Sequence, residues 1–435
     1  MIKKIFIIGA VCFLALPYQS VIGDSQNIQF LEEKQTYKAN IGPDITSMIN
    51  QINEEILKYY LEKFVSFGYK KAGSENADMA AHWIKSEFEE IGLYTYFDQW
   101  RFPKIKDKNV IAIHNGTDPT SDATILICAH YDTIGNSPGA IDDGTGIASM
   151  LTIANITKES SFNHTIRFVA VGAEEFGTFG SFADAKKAYW NNENIIAVLN
   201  IDSIGFDNTS EKKNIVQLIG PERSYWLVDF IKEISNKYSS EFDVIPQYCG
   251  NYPADHESYR DYGYDGLMFV QAKPEESEGT IWHTPYDTID KVNFSYLQKI
   301  SKLILATACE LATKPIDIQV RIVTPLEGCI YIRNIPIKLP CYNLFYTRIR
   351  ALTYIIGKTT VKINITTNEK INSVYFGLDG YLRHICNEPP YEYKIGKGDY
   401  KFFRAKRHHR LTVSVTTNTG KVAFDEMDIF IFKLL

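Results

Sequence analysis

A mixed, largely parallel α/β sheet flanked by helices, followed by an all-β sandwich, is the architecture this sequence predicts. Three observations carry that expectation. Between residues 109 and 201, strand-like and helix-like segments alternate, which is the pattern of a sheet wound with crossover helices. Two of the strands, Thr124–Ala129 and Thr165–Val171, are almost continuously apolar, as strands covered on both faces are. Beyond Thr313-Lys-Pro315 the texture changes to short alternating strands separated by Gly, Asn and Pro, with no long helix.

In chain order, the spacing of Ile45, Met48, Ile49, Ile52, Ile56, Tyr60 and Phe64 predicts helix from Asp44, a capping residue, to Phe67. A second helix runs from Asn76 to Ile91 and stops at Gly92. Strands are expected at Asn109–Ile113, Ala123–Ala129, Thr165–Gly172, Ile195–Ile201 and Gly266–Ala272. Helices are expected at Thr145–Thr157, Ser181–Trp190, Ser224–Tyr238 and Phe294–Ala312. This divides the chain into a unit over 45–315 and a β domain over 318–435, preceded by a polar lead-in or pro-segment over 24–44.

The first 23 residues have the grammar of a secretory signal: Lys3 and Lys4, an apolar run of twelve from Ile5 to Leu16, then Pro17 and a polar stretch ending at Gly23. A run of twelve is shorter than the roughly 20 residues of a membrane-spanning helix. The sequence therefore predicts a secreted or extracytoplasmic protein without stable membrane insertion. Of the seven cysteines, Cys12 leaves with the signal. Cys329, Cys341 and Cys386 fall in the β domain, where one disulfide is expected with its connectivity open. With 46 Lys and Arg against 52 Asp and Glu, the net charge of −6 gives no basic surface for nucleic acid or anionic lipid.

Open α/β sheets place their sites beyond the carboxyl ends of the strands. Read there, this sequence offers His130-Tyr-Asp132, Asp142-Asp143-Gly144, Glu174-Glu175, Asp202 and His283-Thr-Pro-Tyr-Asp287-Thr. Singly, each has an ordinary explanation as a helix cap, a solvated pair or a structural histidine. Together, Asp142, Glu174, Glu175 and Asp202 would put four carboxylates in one crevice, where they cannot all ionise without cations. Two divalent ions balance that charge, and imidazole with carboxylate is a ligand set suited to zinc. Asp132 can steady the His130 imidazole from behind.

These motifs, with Pro138-Gly-Ala-Ile-Asp142, Asn200-Ile-Asp202 and Asp255-His256, resemble in order and over roughly residues 45–312 the secreted di-zinc aminopeptidases that include bacterial leucyl aminopeptidase and aminopeptidase Y. The resemblance implies a zinc exopeptidase fold and two zinc ions per chain. Asp142 would bridge the ions, His130 and Asp202 would complete one site, and Glu175 and His283 the other. It implies Glu174 as general base, a cis peptide between Asp142 and Asp143, and peptides as substrates. Three positions depart from the family pattern: Ala254 replaces a serine that helps hold a zinc histidine, Pro253 removes the disulfide partner of Cys249, and Asn251 stands where an intermediate-stabilising tyrosine does, leaving Tyr252 as the candidate. The β domain is similar to immunoglobulin-like domains appended to exported enzymes, notably at Asn372–Gly380 and Arg410–Val415, and would contact a cell surface or polymer if it has a binding role. On the same fold, a mono-zinc glutaminyl cyclase and a carboxypeptidase are the alternatives; cyclases generally lack the histidine that His130 provides.

Overall fold

The computed structural model describes residues 42–432 apart from 104, 192, 207–213, 222–223, 272–280, 315–317, 326–328, 339–352, 368 and 396–407. The expected signal peptide, nearly all of the lead-in, and Cys341 lie outside the described residues, as does the side chain of Cys329.

The amino-terminal apolar repeat forms two helices rather than one, α1 (Ile45–Gln51) and α2 (Glu54–Val65). Asp44 caps the first, its carboxylate accepting the Ser47 amide at 3.0 Å, while Asn53 interrupts the repeat and caps the second through the Ile56 amide at 3.0 Å. Periodicity is unchanged across a polar cap residue, so a break of this kind is hidden from an apolar count. α3 (Glu75–Ile91) ends as expected at Gly92, which adopts φ 96°, a left-handed conformation open to glycine.

Eight strands then build the first sheet. They are β1 (Tyr94–Phe102), β2 (Ile105–His114), β3 (Ala123–His130), β4 (Thr165–Val171), β5 (Asn194–Ile201), β6 (Ile215–Ile219), β7 (Ile245–Tyr248) and β8 (Gly266–Val270), in the order β1-β2-β4-β3-β5-β8-β6-β7. The central strands β4, β3, β5 and β8 run parallel; β1 pairs antiparallel with β2, β2 with β4 and β6 with β8, while β6 and β7 pair parallel to each other. The sheet is thus mixed. α4 (Thr145–Thr157), α5 (Phe179–Trp190), α6 (Tyr225–Lys237), α7 (Asp255–Arg260) and α8 (Phe294–Thr313) complete this unit.

Alternate residues of β3 divide between two cores. Ile125, Ile127 and Ala129 join α1 to α4, α6 and α8 on one face, while Leu126 and Cys128 join Ala185, Tyr189 and Tyr259 of α5 and α7 on the other. A strand enclosed on both faces has no reason to alternate in polarity, which explains its continuous apolar run.

From β9 (Gln319–Thr324) the chain is all β. Strands β10 (Cys329–Ile332), β11 (Ile335–Lys338), β12 (Thr353–Ile356), β13 (Thr359–Thr366), β14 (Ile371–Leu378), β15 (Tyr381–Cys386), β16 (Glu392–Ile395), β17 (His408–Thr417) and β18 (Val422–Phe432) form a seven-stranded sheet, β11-β10-β12-β18-β17-β14-β15, and a three-stranded one, β16-β13-β9. A separate core of Val361, Val374, Phe376, Val413 and Ile429 lies among them. Cys386 is a free thiol that points at the Glu392 carbonyl at 3.5 Å.

Candidate metal centre

The strand ends deliver the predicted side chains to one crevice. His130 is the last residue of β3; Glu174 and Glu175 follow β4 after the left-handed Ala173 (φ 59°); Asp202 follows β5 and precedes left-handed Ser203 (φ 53°). Asp142 comes from an irregular turn, Ala140–Gly144, that leads into α4, and the peptide between Asp142 and Asp143 is cis. His283 sits at the rim with φ 60° and its side chain 57% exposed. Left-handed backbone at three non-glycine residues flanking one crevice is the kind of local strain that surrounding structure must hold in place.

Two three-residue donor groups share Asp142: His130, Asp142 and Asp202, and Asp142, Glu175 and His283, each with its ligand atoms within 4.8 Å of one another. His130 Nε2 lies 3.0 Å from Asp142 Oδ1 and 4.0 Å from Asp202 Oδ1; His283 Nε2 lies 3.2 Å from Asp142 Oδ2 and 3.0 Å from Glu175 Oε2. The two carboxylate oxygens of Asp142 thus face different histidines.

The supporting contacts modify the sequence reading of Asp132. His130 Nδ1 is 3.1 Å from the Asp132 backbone carbonyl and 3.8 Å from its carboxylate. That carboxylate instead accepts the peptide N–H groups of Glu174 at 2.9 Å and Glu175 at 3.2 Å. Asp132 therefore orients the imidazole through its main chain and fixes the glutamate pair through its side chain. Tyr252 is half-buried and packs against Ile219, Ala254, Met268 and Val270.

The electrostatics of the crevice call for cations. Burial pushes Glu174 well above the usual carboxylate range and Glu175 up to about 7, the latter helped by its neighbour Asp142. Burial likewise carries Asp202 up to about 6. Burial disfavours the His130 imidazolium, yet Asp142 and the surrounding carboxylates overcome it and raise that residue well above the usual histidine range. His283, hydrogen-bonded to Asp142 and Glu175, is raised to about 10. The carboxylates around both imidazoles thus favour positive charge at the nitrogens facing them. A divalent ion in each donor group answers the same demand with the ligand types zinc takes, so the residues present fit it.

Three supporting residues take their roles from the fold: the sequence placed Asp143 and Asp287 in motifs without a contact of their own, and Lys70 in none. The Asp143 carboxylate is fully buried and accepts the peptide N–H groups of His130 at 3.2 Å, Gly146 at 3.1 Å and Ser203 at 3.1 Å, tying β3, α4 and β5 together at their site ends. Asp287 and Lys70 are also fully buried and grip the turn that bears Asp142. An aspartate beside a ligand reads as a ligand or a cap, and a lone lysine reads as surface, so only the fold distinguishes them.

The Peptidase family M28 model matches residues 109–308, from β2 into α8, the stretch that supplies every residue of both donor groups. Leucine aminopeptidase 1 of Ajellomyces dermatitidis is 27% identical over 289 residues, spanning 62% of this chain and 74% of that one. Among solved structures, LapB from Legionella pneumophila is similar with a TM-score of 0.56 at 24% identity, over 64% of this chain and 77% of that chain. A zinc aminopeptidase from Bacillus subtilis gives 0.54 at 17% identity, over 60% and 96%. Glutaminyl cyclase from Bacteroides thetaiotaomicron gives 0.52 at 17% identity, over 60% and 98%.

The class these observations define is a peptidase, which is a hydrolase. Residues 109–308 relate it to Peptidase family M28, with leucine aminopeptidases among its relatives.

Proposed function

We propose that this protein is an exported aminopeptidase that removes residues from the amino end of peptides with two zinc ions per chain. The observation that carries this reading is the sharing of Asp142 between two donor groups, one completed by His130 and Asp202, the other by Glu175 and His283. Zinc held there would supply Lewis acidity toward the scissile carbonyl and acidify the attacking water. The protein's own part is acid–base work and positioning. Glu174 belongs to neither donor group, which leaves its carboxylate for proton transfer rather than metal binding. It takes a proton from the water whose oxygen attacks the carbonyl carbon, and it returns that proton to the departing amine as the C–N bond breaks. Asp132 keeps the Glu174 and Glu175 backbone fixed while this happens.

A glutaminyl cyclase would need only one ion. His130, directed at Asp142 and Asp202, gives this chain a second complete donor group and favours hydrolysis. Export is supported by the leader-like sequence of residues 1–23, and no helix among the described residues is long and apolar enough to cross a membrane. We read residues 318–435 as an immunoglobulin-like domain.

The test compares aminoacyl-anilides with free and with N-acetylated amines. Release from the free amine alone is expected. Release from neither substrate, with pyroglutamate formed from an amino-terminal glutamine peptide, overturns the reading in favour of the cyclase.

A further inference from the structure

Asp142 is the one side chain both donor groups need, yet it sits on an irregular turn with no helix or strand to fix it. Two buried residues hold that turn and the residues leading into it. Asp287 accepts the peptide N–H of Ile141 at 2.7 Å through one oxygen and that of Asp142 at 3.1 Å through the other, and its own carbonyl accepts the Ala140 N–H at 3.3 Å. Ser137 donates to the same carboxylate at 3.4 Å and accepts the Gly139 N–H at 3.1 Å.

Lys70 reaches the preceding residue. Its ammonium donates to the Pro138 carbonyl at 2.7 Å and the Gly68 carbonyl at 2.8 Å, and it lies 4.2 Å from the centre of the Phe64 ring. Its backbone is itself tied beside Asp132: the Lys70 N–H donates to Thr133 Oγ1 at 2.9 Å, and the Thr133 N–H donates back to the Lys70 carbonyl at 3.0 Å. Both groups are 0% exposed. A buried polar group is costly unless it is hydrogen-bonded, so each is tied to the backbone it holds.

We propose that Asp287 and Lys70 are positioning residues that clamp residues 138–142 and so keep the Asp142 carboxylate between His130 and His283. Asp287 lies four residues after His283, so the same segment sets one ligand and the backbone of the bridging one. Lys70 precedes the stretch that matches Peptidase family M28, which makes the helix-rich amino-terminal part a contributor to the site. The proposal rests on the reading of Asp142 as a shared metal ligand.

The test uses the full chain stripped of metal and titrated with zinc against a chromophoric chelator, with the melting temperature of the stripped protein measured in parallel. Asp287→Asn presents an amide NH2 to one of the two N–H groups it must accept, and zinc affinity is expected to fall roughly 10- to 100-fold, the range seen when groups behind metal ligands are lost. Lys70→Met keeps the stem against Phe64 and removes the donors, with a fall of the same order. Ser137→Ala leaves the carboxylate in place and is expected to weaken zinc by less than either. Variants that melt lower but bind zinc as tightly as wild type overturn the clamp and leave a structural role. If Asp287→Asn does not fold, Lys70→Met and Ser137→Ala decide the matter by the same affinity readout. Wild-type protein that takes up a single zinc would sink the two-ion reading instead, and the ratio of affinities would still judge the clamp.

Discussion

Glu174 and Glu175 are adjacent in sequence, and of the two only Glu175 forms an ion pair with a histidine among the described residues, His283 Nε2 at 3.0 Å, which leaves Glu174 to the proposed part of base. Glu174→Gln keeps the size of the side chain and removes its basicity. Turnover is expected to fall by roughly 10²- to 10⁴-fold, the contribution typical of a positioned general base, with zinc content unchanged. A variant that retains both zinc and near wild-type turnover would take Glu174 out of the reaction. A second residue-scale test concerns Gly146, where an added Cβ would lie 2.4 Å from Asp143 Oδ2 and 2.5 Å from Oδ1. Gly146→Ala must displace a carboxylate that holds His130 and Ser203, so a loss of about 1–3 kcal/mol by denaturant unfolding is expected, with weaker zinc binding alongside. Unchanged stability would show that Asp143 can move without consequence.

At the scale of elements, the parallel core of the sheet was legible because β3, β4 and β5 are apolar runs of strand length between clear helices. Missed were β1, β6, β7 and the short α7. β1 runs Tyr94-Thr-Tyr-Phe-Asp-Gln-Trp100 with a mostly half-exposed pattern, so its polarity resembles a loop, and pairing with β2 decides its state. Four of the five ligand candidates were legible for a different reason, since His130, Asp142, Glu175 and Asp202 stand at or just past a strand end or just ahead of a helix, whereas His283 lies in a turn remote from both. Asp287 and Lys70 act on backbone groups distant in sequence, which no local pattern encodes. One helix contact makes a pH prediction. Lys237 and Tyr238 at the end of α6 both donate to Glu310 on α8, the tyrosine at 2.6 Å. Burial acts to raise the Glu310 carboxyl, but these donors win and hold it below its ordinary range. Its stabilising effect is therefore present above the unfolded value of about 4.3 and is lost as pH falls through the depressed folded value. Wild type is expected to lose more stability than Glu310→Gln between about pH 5 and pH 3; parallel losses would remove the triad from acid stability.

For the whole molecule, the question is where the β region attaches relative to the chemistry. Arg321 on β9 donates to the Glu193 carbonyl at 3.1 Å and the Tyr262 carbonyl at 3.2 Å, and its guanidinium lies 4.1 Å from the ring centre of Tyr264 and 5.5 Å from that of Tyr189. Asn194 donates to Thr366 at 3.2 Å, and Trp190 packs on the β core. Glu193 and Asn194 stand at the start of β5, while Asp202 follows its end, so the eight residues of the strand, about 26 Å at the usual rise, separate this junction from the donor groups. The β region thus meets the sheet at the amino-terminal end of β5, at the opposite end of the strand from Asp202. Arg321→Ala removes two charged hydrogen bonds and two cation–π contacts, interactions of about 1.5–3 and 0.5–2 kcal/mol each, respectively. A loss of about 2 kcal/mol or more is expected by denaturant unfolding, with kcat and KM on a peptide anilide unchanged because no donor residue is touched. Lower turnover at full zinc occupancy would mean that the junction reaches the crevice through β5, and unaltered stability would mean that the two regions are held together elsewhere.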